Sequence, residues 1–278
     1  MPLKPSQKYA TFVQPVAAVI MDEAGVPYGI KNVRNKMRVS SMPYAYDIAK
    51  ENIAGRQAVR RFGHNGDVGT SPETVSHIAA VMYYPAAAEI LKIKSDDADD
   101  DGAPVGAGAR TVWIQGLDDN YEFITDTITM NGTTAVDTNV AFLRVFMMRV
   151  ITAGASGFNE GTITVYGADG VSKINAIGAE ENRAHSASFT VPANQTLYII
   201  GMTIADASLK GAEVTLLVHN FGGLWENARP YVILDNIESM ELLMPLKFLE
   251  KTDIEIRATA LAAGAVVSAG FVGWREDN

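Results

Sequence analysis

The chain has 278 residues, of which 47% are hydrophobic and 20% charged, with a formal net charge of −9 and no cysteine. This is enough for one large β-domain or two of about 100–150 residues, and too apolar for global disorder. Disulfides, thiolate zinc sites, iron–sulfur clusters and cysteine nucleophiles are excluded, and the composition fits assembly in a reducing cytoplasm.

Residues 1–61 carry ten Lys/Arg (Lys4, Lys8, Lys31, Arg34, Lys36, Arg38, Lys50, Arg56, Arg60 and Arg61) against four acids, a net of +6. The remaining 217 residues hold thirteen basic and twenty-eight acidic side chains, a net of −15. Such a basic segment can dock on acidic protein surfaces, including a copy of the chain itself. Lys31, Arg34, Lys36, Arg38, Arg56, Arg60 and Arg61 are therefore the predicted partner-binding residues. An acidic body is repelled by phosphates, which disfavours nucleic acid as a partner. The start, MPLKPSQKYATFVQP, lacks the apolar core of a secretory signal, and no apolar run approaches the roughly 18–20 residues that span a bilayer. A soluble chain with no membrane partner is expected.

Within residues 1–44, prolines at 2, 5, 15, 27 and 43 and the lack of a sustained period predict an extended arm. Residues 45–61 read as the one short helix, with Ile48, Ile53, Ala54 and Val59 able to share a face and basic residues at the end that suits the helix dipole. Gly55 works against it. From about residue 70 the pattern is β, with strands expected at 110–116, 122–130, 139–151, 161–167, 186–191, 196–205, 212–219, 230–234, 252–259 and 265–274. Val214, Leu216 and Val218 alternate, as do Ile254, Ile256 and Ala258, and Leu197, Ile199 and Gly201. Short strands separated by Gly, Asn and Asp predict antiparallel β-sandwich or jelly-roll lobes. Phe142–Val150 followed by a small-residue loop and a strand opened by Gly161 echoes Leu197–Ile204, a loop, and a strand opened by Gly211. The division expected is an arm over 1–61, a first lobe over 62–182 and a second over 183–278.

Chemical motifs are sparse. Four histidines (His64, His77, His185 and His219) are widely spaced, with no HExxH or HxH pair. No nucleophile elbow occurs, and the glycine-rich stretch 102–110 fits neither a phosphate loop nor a dinucleotide fingerprint. Asp97, Asp99, Asp101 and Gly102 match the first half of a calcium loop, but position twelve would be Gly108 and not Glu; a solvated acidic loop is the simpler reading. No catalytic residue and no cofactor is assigned, and a non-enzymatic protein is expected.

The stretch Arg61-Phe-Gly-His-Asn-Gly-Asp-Val-Gly-Thr-Ser-Pro-Glu-Thr-Val resembles the FGxNxDVxT…ETV opening of a group of tailed-bacteriophage virion proteins, many from marine phages. In order there follow Gly106-Ala-Gly-Ala-Arg-Thr-Val-Trp-Ile-Gln-Gly-Leu-Asp, Asn131-Gly-Thr-Thr-Ala-Val and Phe142-Leu-Arg-Val. Phe189-Thr-Val-Pro-Ala-Asn-Gln-Thr, Glu250-Lys-Thr-Asp-Ile-Glu-Ile-Arg-Ala and Val267-Ser-Ala-Gly-Phe complete the pattern. The resemblance covers about 62–278, departing from the group at Ser76-His-Ile-Ala-Ala and at Asn194. It implies a structural protein of the virion, assembled in the cytoplasm of a bacterial host, with no catalytic residues to carry over. A capsid decoration (cement) protein is expected, a homo-oligomer (trimer or higher) bound to the major capsid protein. A tail adaptor, nozzle or fibre-attachment subunit is the alternative, and a glycan-binding module using Trp113, Trp225 or Trp274 is a third. Asn131-Gly132 is expected to form a tight hairpin turn and Pro192–Asn194 a turn opening a strand.

Overall fold

The computed structural model describes residues 44–234 and 236–278. After helix α1 (Tyr44–Ala49) the chain runs through sixteen strands: β1 (Arg56–Val68), β2 (Glu73–Thr74), β3 (Glu89–Ser95), β4 (Ala109–Leu117), β5 (Phe123–Thr129), β6 (Val136–Phe142), β7 (Arg144–Ala153), β8 (Ile163–Tyr166), β9 (Lys173–Ile177), β10 (Ser188–Thr190), β11 (Gln195–Asp206), β12 (Ala212–His219), β13 (Trp225–Ile233), β14 (Asn236–Phe248), β15 (Asp253–Ala260) and β16 (Ala265–Asp277). The pairings between these strands are antiparallel, and the protein is mainly β, as the alternation and turn chemistry imply.

Two sandwiches result. In the first, sheet β6-β3-β8-β9 faces sheet β5-β4-β7 across a core of Leu91, Ile93, Ile114, Phe142, Met148 and Ile163. In the second, sheet β1-β16-β11-β14 faces β10-β15-β12-β13, with β2 added beside β15. Its core takes alternate residues from both layers, among them Leu197, Ile199, Val214, Leu216, Ile254, Ile256 and Phe271. Each such fully buried aliphatic side chain stabilises the fold by about 1.5–3 kcal/mol. The alternation read for β12 and β15 holds. In β11 it does not, because Ile200 is an extra residue: Ile199 pairs with Gly273 and Gly201 with Val272. This bulge resets the phase, so Met202 and Ile204, not Gly201, continue the apolar side.

The division of the chain differs from 1–61, 62–182 and 183–278. Residues 43–278 form one compact unit, and β1 pairs with β16 from Arg56↔Glu276 to Val68↔Ala265. The sandwich that holds the C-terminus therefore also holds residues 56–68, and the lobe of β3–β9 is inserted between β2 and β10. The expected helix over 45–61 is confined to Tyr44–Ala49. Gly55, at φ +71°, turns the chain out of it, and residues 56–61 then extend along β16. The expected strand 139–151 is two strands in different sandwich layers, broken at Leu143.

Asn131-Gly132 makes no hairpin. It turns the chain from β5 in one layer to β6 in the other, closed by Thr134 N–H to Asn131 O at 3.0 Å. Pro192–Asn194 does form the expected turn, with Asn194 in the left-handed region immediately before β11. The echoed segments share a connection. β7 and β8 lie in opposite layers, as do β11 and β12. In each case a buried aspartate accepts from the glycine that opens the second segment: Asp100 from Gly161 N–H (2.9 Å), Asp206 from Gly211 N–H (2.7 Å).

The lobes are tied by a buried ion pair. Arg144, at the start of β7, gives Nε and Nη2 to the two oxygens of Asp253, at the start of β15, both at 2.8 Å. Its Nη1 donates to the carbonyls of Pro85 and Leu143. Thr190 Oγ1 also donates to Asp253 at 2.5 Å, and His219 Nδ1 stands 3.2 Å from it. Arg144 comes from the Phe142-Leu-Arg-Val block and Asp253 from the Lys-Thr-Asp block, so two separate motifs meet at one bond. Arg257, next to the end of the same block, pairs with Glu255 on its own strand.

Candidate functional site: an open apolar edge beside an arginine-lined cavity

β14 and β13 each end one layer of the C-terminal sandwich, opposite β1 and β10 at the other ends, and only residues 234 and 235 separate them in sequence. These two edges, unpaired by any other described strand, thus lie at one side of the sandwich. An outermost strand presents unpaired N–H and C=O groups, and it is a template for another chain unless blunted. Here it carries exposed Val232, Leu234 and Ile237.

The most projecting feature is an irregularity in β14. Ile199 pairs with Leu246 and Gly201 with Glu241, so the four residues Leu242–Pro245 stand opposite the single residue Ile200. Leu242 still packs on the core, while Leu243 is 100% and Met244 81% exposed. Pro245 has no N–H to return to the ladder, which suits a segment that leaves it. Adjacent aliphatic side chains pushed fully into solvent on an open edge are the kind of surface that marks an interaction site.

Beside this edge is a cavity of about 710 Å³, whose lining includes Arg60, Arg61, Arg183, His185, Glu241 and Leu242. Arg61 shares the inward side of β1 with Val59; its guanidinium lies 4.8 Å from the ring centre of Phe189 and 5.4 Å from that of Phe146. Its Nε is enclosed and has no hydrogen-bond partner among the described residues. Burial, then repulsion from Arg183 and Arg275, brings the Arg61 pKa down to about 10, so it remains a cation at neutral pH. A cation held without a counter-charge on a cavity wall suits an anionic group brought by a partner.

The structure separates the predicted partner-binding residues. Lys31, Arg34, Lys36 and Arg38 lie outside the described residues. Arg56 is bound within its own chain, Nε to Glu276 at 2.8 Å. Arg60 is exposed and lines the cavity; Arg61 points inward over the two phenylalanine rings. Arg183 and the Leu243–Met244 projection escaped the sequence reading. The first looks like any loop arginine, and the second depends on a register shift that no local pattern reveals.

The calcium candidate gains no support. Asp97 and Asp101 accept from the backbone N–H groups of Asp99 and Ala103 in local turns, each at 2.8 Å. The carboxylates of Asp97, Asp99 and Asp101 do not converge on a common point among the described residues. The organiser of this loop is Asp100, which is fully buried. It accepts from Ala109, Glu160 and Gly161 N–H and from Ser95 Oγ. The tryptophans are engaged within their own chain: Trp113 under Arg149, Trp225 between His219 and Tyr84, and Trp274 against Tyr198. No helix among the described residues is long and apolar enough to cross a membrane.

No family model and no curated protein matches the chain. Two solved structures of infectious bursal disease virus, of the Gt and Gx strains, align with 85% and 80% of this chain (87% and 80% of theirs) at 10% identity. Their TM-scores are both 0.14, and at that level the likeness carries no argument about fold or function.

Proposed function

We propose that this chain is a non-enzymatic structural protein of a tailed-phage particle, a capsid decoration protein that binds the major capsid protein and copies of itself. The reading rests on the ordered motif blocks between residues 62 and 278. The observation that supports an assembly role is the Leu243–Met244 projection on the open edge of β14, next to a cavity with an uncompensated arginine. The projection offers an apolar anchor of the kind that dominates binding energy at interfaces, and the cavity offers a place for a carboxylate. An open edge also allows a second copy to extend the sheet, which makes a homo-oligomer accessible without any new fold.

The basic segment of residues 1–43 contributes six Lys/Arg against two acids and complements a body that carries thirteen more acids than bases. Residues 56–61 are excluded from any exchanged arm, since they form β1 in their own chain.

The test is copy number and binding on particles. Purified full-length protein added to particles lacking it should saturate at a number proportional to the major capsid protein. Leu243→Glu with Met244→Glu should abolish both that binding and self-association measured by light scattering. Saturation at the number of a tail component supports the adaptor or nozzle reading. Undiminished binding and self-association by the double variant refutes the role given to the projection.

A further inference from the structure

Three of the four histidines, far apart in sequence, come together, and two of them share one carboxylate. His77 lies in the segment after β2, where the chain leaves the C-terminal sandwich for the inserted lobe. Glu181 and His185 lie between β9 and β10, where it returns. Glu181 Oε2 is 2.9 Å from His77 Nε2 and 3.1 Å from His185 Nδ1, and one ligand atom from each residue lies within 4.8 Å of the others. The ring of His64, on β1, is 5.5 Å from that of His77, with its Nδ1 2.9 Å from Ser268 Oγ. Two imidazole nitrogens and a carboxylate oxygen are the donor set of a borderline-soft divalent ion. Bonds of about 2.0–2.2 Å to such an ion set neighbouring ligand atoms roughly 3.3 Å apart, and the two distances from Glu181 to the histidine nitrogens are within a few tenths of an ångström of that.

An independent observation points the same way. His77 Nε2 is enclosed and, although close to Glu181, lies off the direction of a hydrogen bond to it; it has no hydrogen-bond partner among the described residues. A buried nitrogen in that position is costly unless something satisfies it.

The surroundings hold these groups in place. Asn159 and Asn182 exchange backbone-to-side-chain bonds (Asn182 N–H to Asn159 Oδ1 at 2.9 Å, Asn159 N–H to Asn182 Oδ1 at 3.2 Å), and Asn159 Nδ2 donates to the Gly178 carbonyl at 2.7 Å. This network fixes the turn that carries Glu181. Gly178 leaves the room that His77 occupies, because a Cβ there would lie 2.9 Å from the imidazole Nδ1 and Cε1. Phe62 meets the His185 ring edge-on at 5.9 Å. A cavity adjoins each histidine: His185 lines the 710 Å³ cavity, and His77 lines another of about 400 Å³ with Lys94, Asp96 and Lys173.

We propose that His77, Glu181 and His185 bind a divalent transition ion of the zinc type, with water completing the coordination, and that the ion fastens to each other the two crossovers that connect the inserted lobe to the C-terminal sandwich. The role is structural: the ion binds the folded chain and not the unfolded one, and raises stability by mass action.

The test uses full-length protein treated with EDTA and dialysed. Titration with Zn²⁺ should give one equivalent of binding by calorimetry. At a hundredfold excess over Kd it should raise the melting temperature by roughly 5–10 °C. Ca²⁺ and Mg²⁺, which require oxygen cages, should do neither. Co²⁺ should give the visible bands of a nitrogen–oxygen site with no sulfur charge-transfer band. Glu181→Gln and His185→Ala should each weaken Zn²⁺ binding by at least roughly 100-fold, whereas His219→Asn, away from the cluster, should not. Wild-type protein that neither takes up Zn²⁺ nor gains thermal stability overturns the proposal whatever the variants do. Unchanged affinity in Glu181→Gln also overturns it and relegates the cluster to an internal ion pair.

Discussion

Replacing Arg144 with methionine removes every bond between the inserted lobe and Asp253 that the guanidinium supplies. Arg144 keeps 9% and Asp253 2% of its side-chain surface accessible, so neither charge has water to fall back on. Burial alone would lower the Arg144 pKa, but the hydrogen bonds and charge of Asp253 raise it, so the ion pair is the dominant state. The variant leaves a buried carboxylate held only by Thr190 and His219, and two carbonyls, of Pro85 and Leu143, without their Nη1 donor. Breaking a buried pair by removing one partner costs about 3–5 kcal/mol. For a unit of this size each kcal/mol moves the midpoint by about 2–4 °C, so the melting temperature should fall by roughly 6–20 °C. Urea unfolding followed by fluorescence, with calorimetry in parallel, measures both. Arg144→Lys should fall between, since it keeps the charge and loses the two-pronged geometry. The double variant Arg144→Met with Asp253→Leu should be more stable than Arg144→Met alone, because no buried charge is stranded. A loss below about 1 kcal/mol for Arg144→Met, or strict additivity in the double variant, would refute the claim that this pair holds the lobes together.

Asp100→Asn should cost about 2–4 kcal/mol in urea unfolding, since an amide presents N–H groups toward donors that need an acceptor, while Asp99→Asn nearby should stay within about 0.5 kcal/mol. Leu243→Glu should leave stability unchanged within about 0.5 kcal/mol, because the side chain touches solvent alone, yet it should reduce self-association. Deleting residues 1–43 should leave a folded body with an intact cooperative transition, whereas deleting 1–61 removes half of β1 and should yield insoluble or molten protein by chromatography and near-ultraviolet dichroism. Acid should act through Asp206. Burial raises its pKa, but bonds from Ser208, Gly211 and Lys210 outweigh this and hold it below the ordinary value. Its contribution is present above about pH 4 and lost as pH falls through the lower folded value, so Asp206→Asn should flatten the acid limb of a stability–pH curve.

Where apolar side chains alternate, as in β12 and at Ile254, Ile256 and Ala258 of β15, the strands could be read from the residues directly. β14 could not. Its sequence mixes Glu238, Glu241 and Pro245 with aliphatics because it lies at an edge, with its outward side in water and four residues pushed out of register. β1 was read as helical because Arg60 and Arg61 resemble a basic helix end. In the fold they alternate, one outward and one stacked over two phenylalanine rings that arrive from β7 and β10. That contact depends on Phe146 and Phe189, 85 and more residues away, which no local window contains. The same limit hid the histidine cluster, whose members lie on three separate segments, and hid the meeting of Arg144 with Asp253. The motif blocks were legible as strings, but their bonding to one another is a property of the topology alone.

The pairing of β1 with β16 sets an order on synthesis. The inserted lobe has all its strands once residue 177 has emerged, and it can close its core while the ribosome is still at work. The C-terminal sandwich must wait, because β16, the partner of its first strand, is made after all its other strands. Until Asp277 is available, β1 lacks its ladder with β16 and leaves Val59 uncovered, and chaperone dependence of expression should trace to that interval.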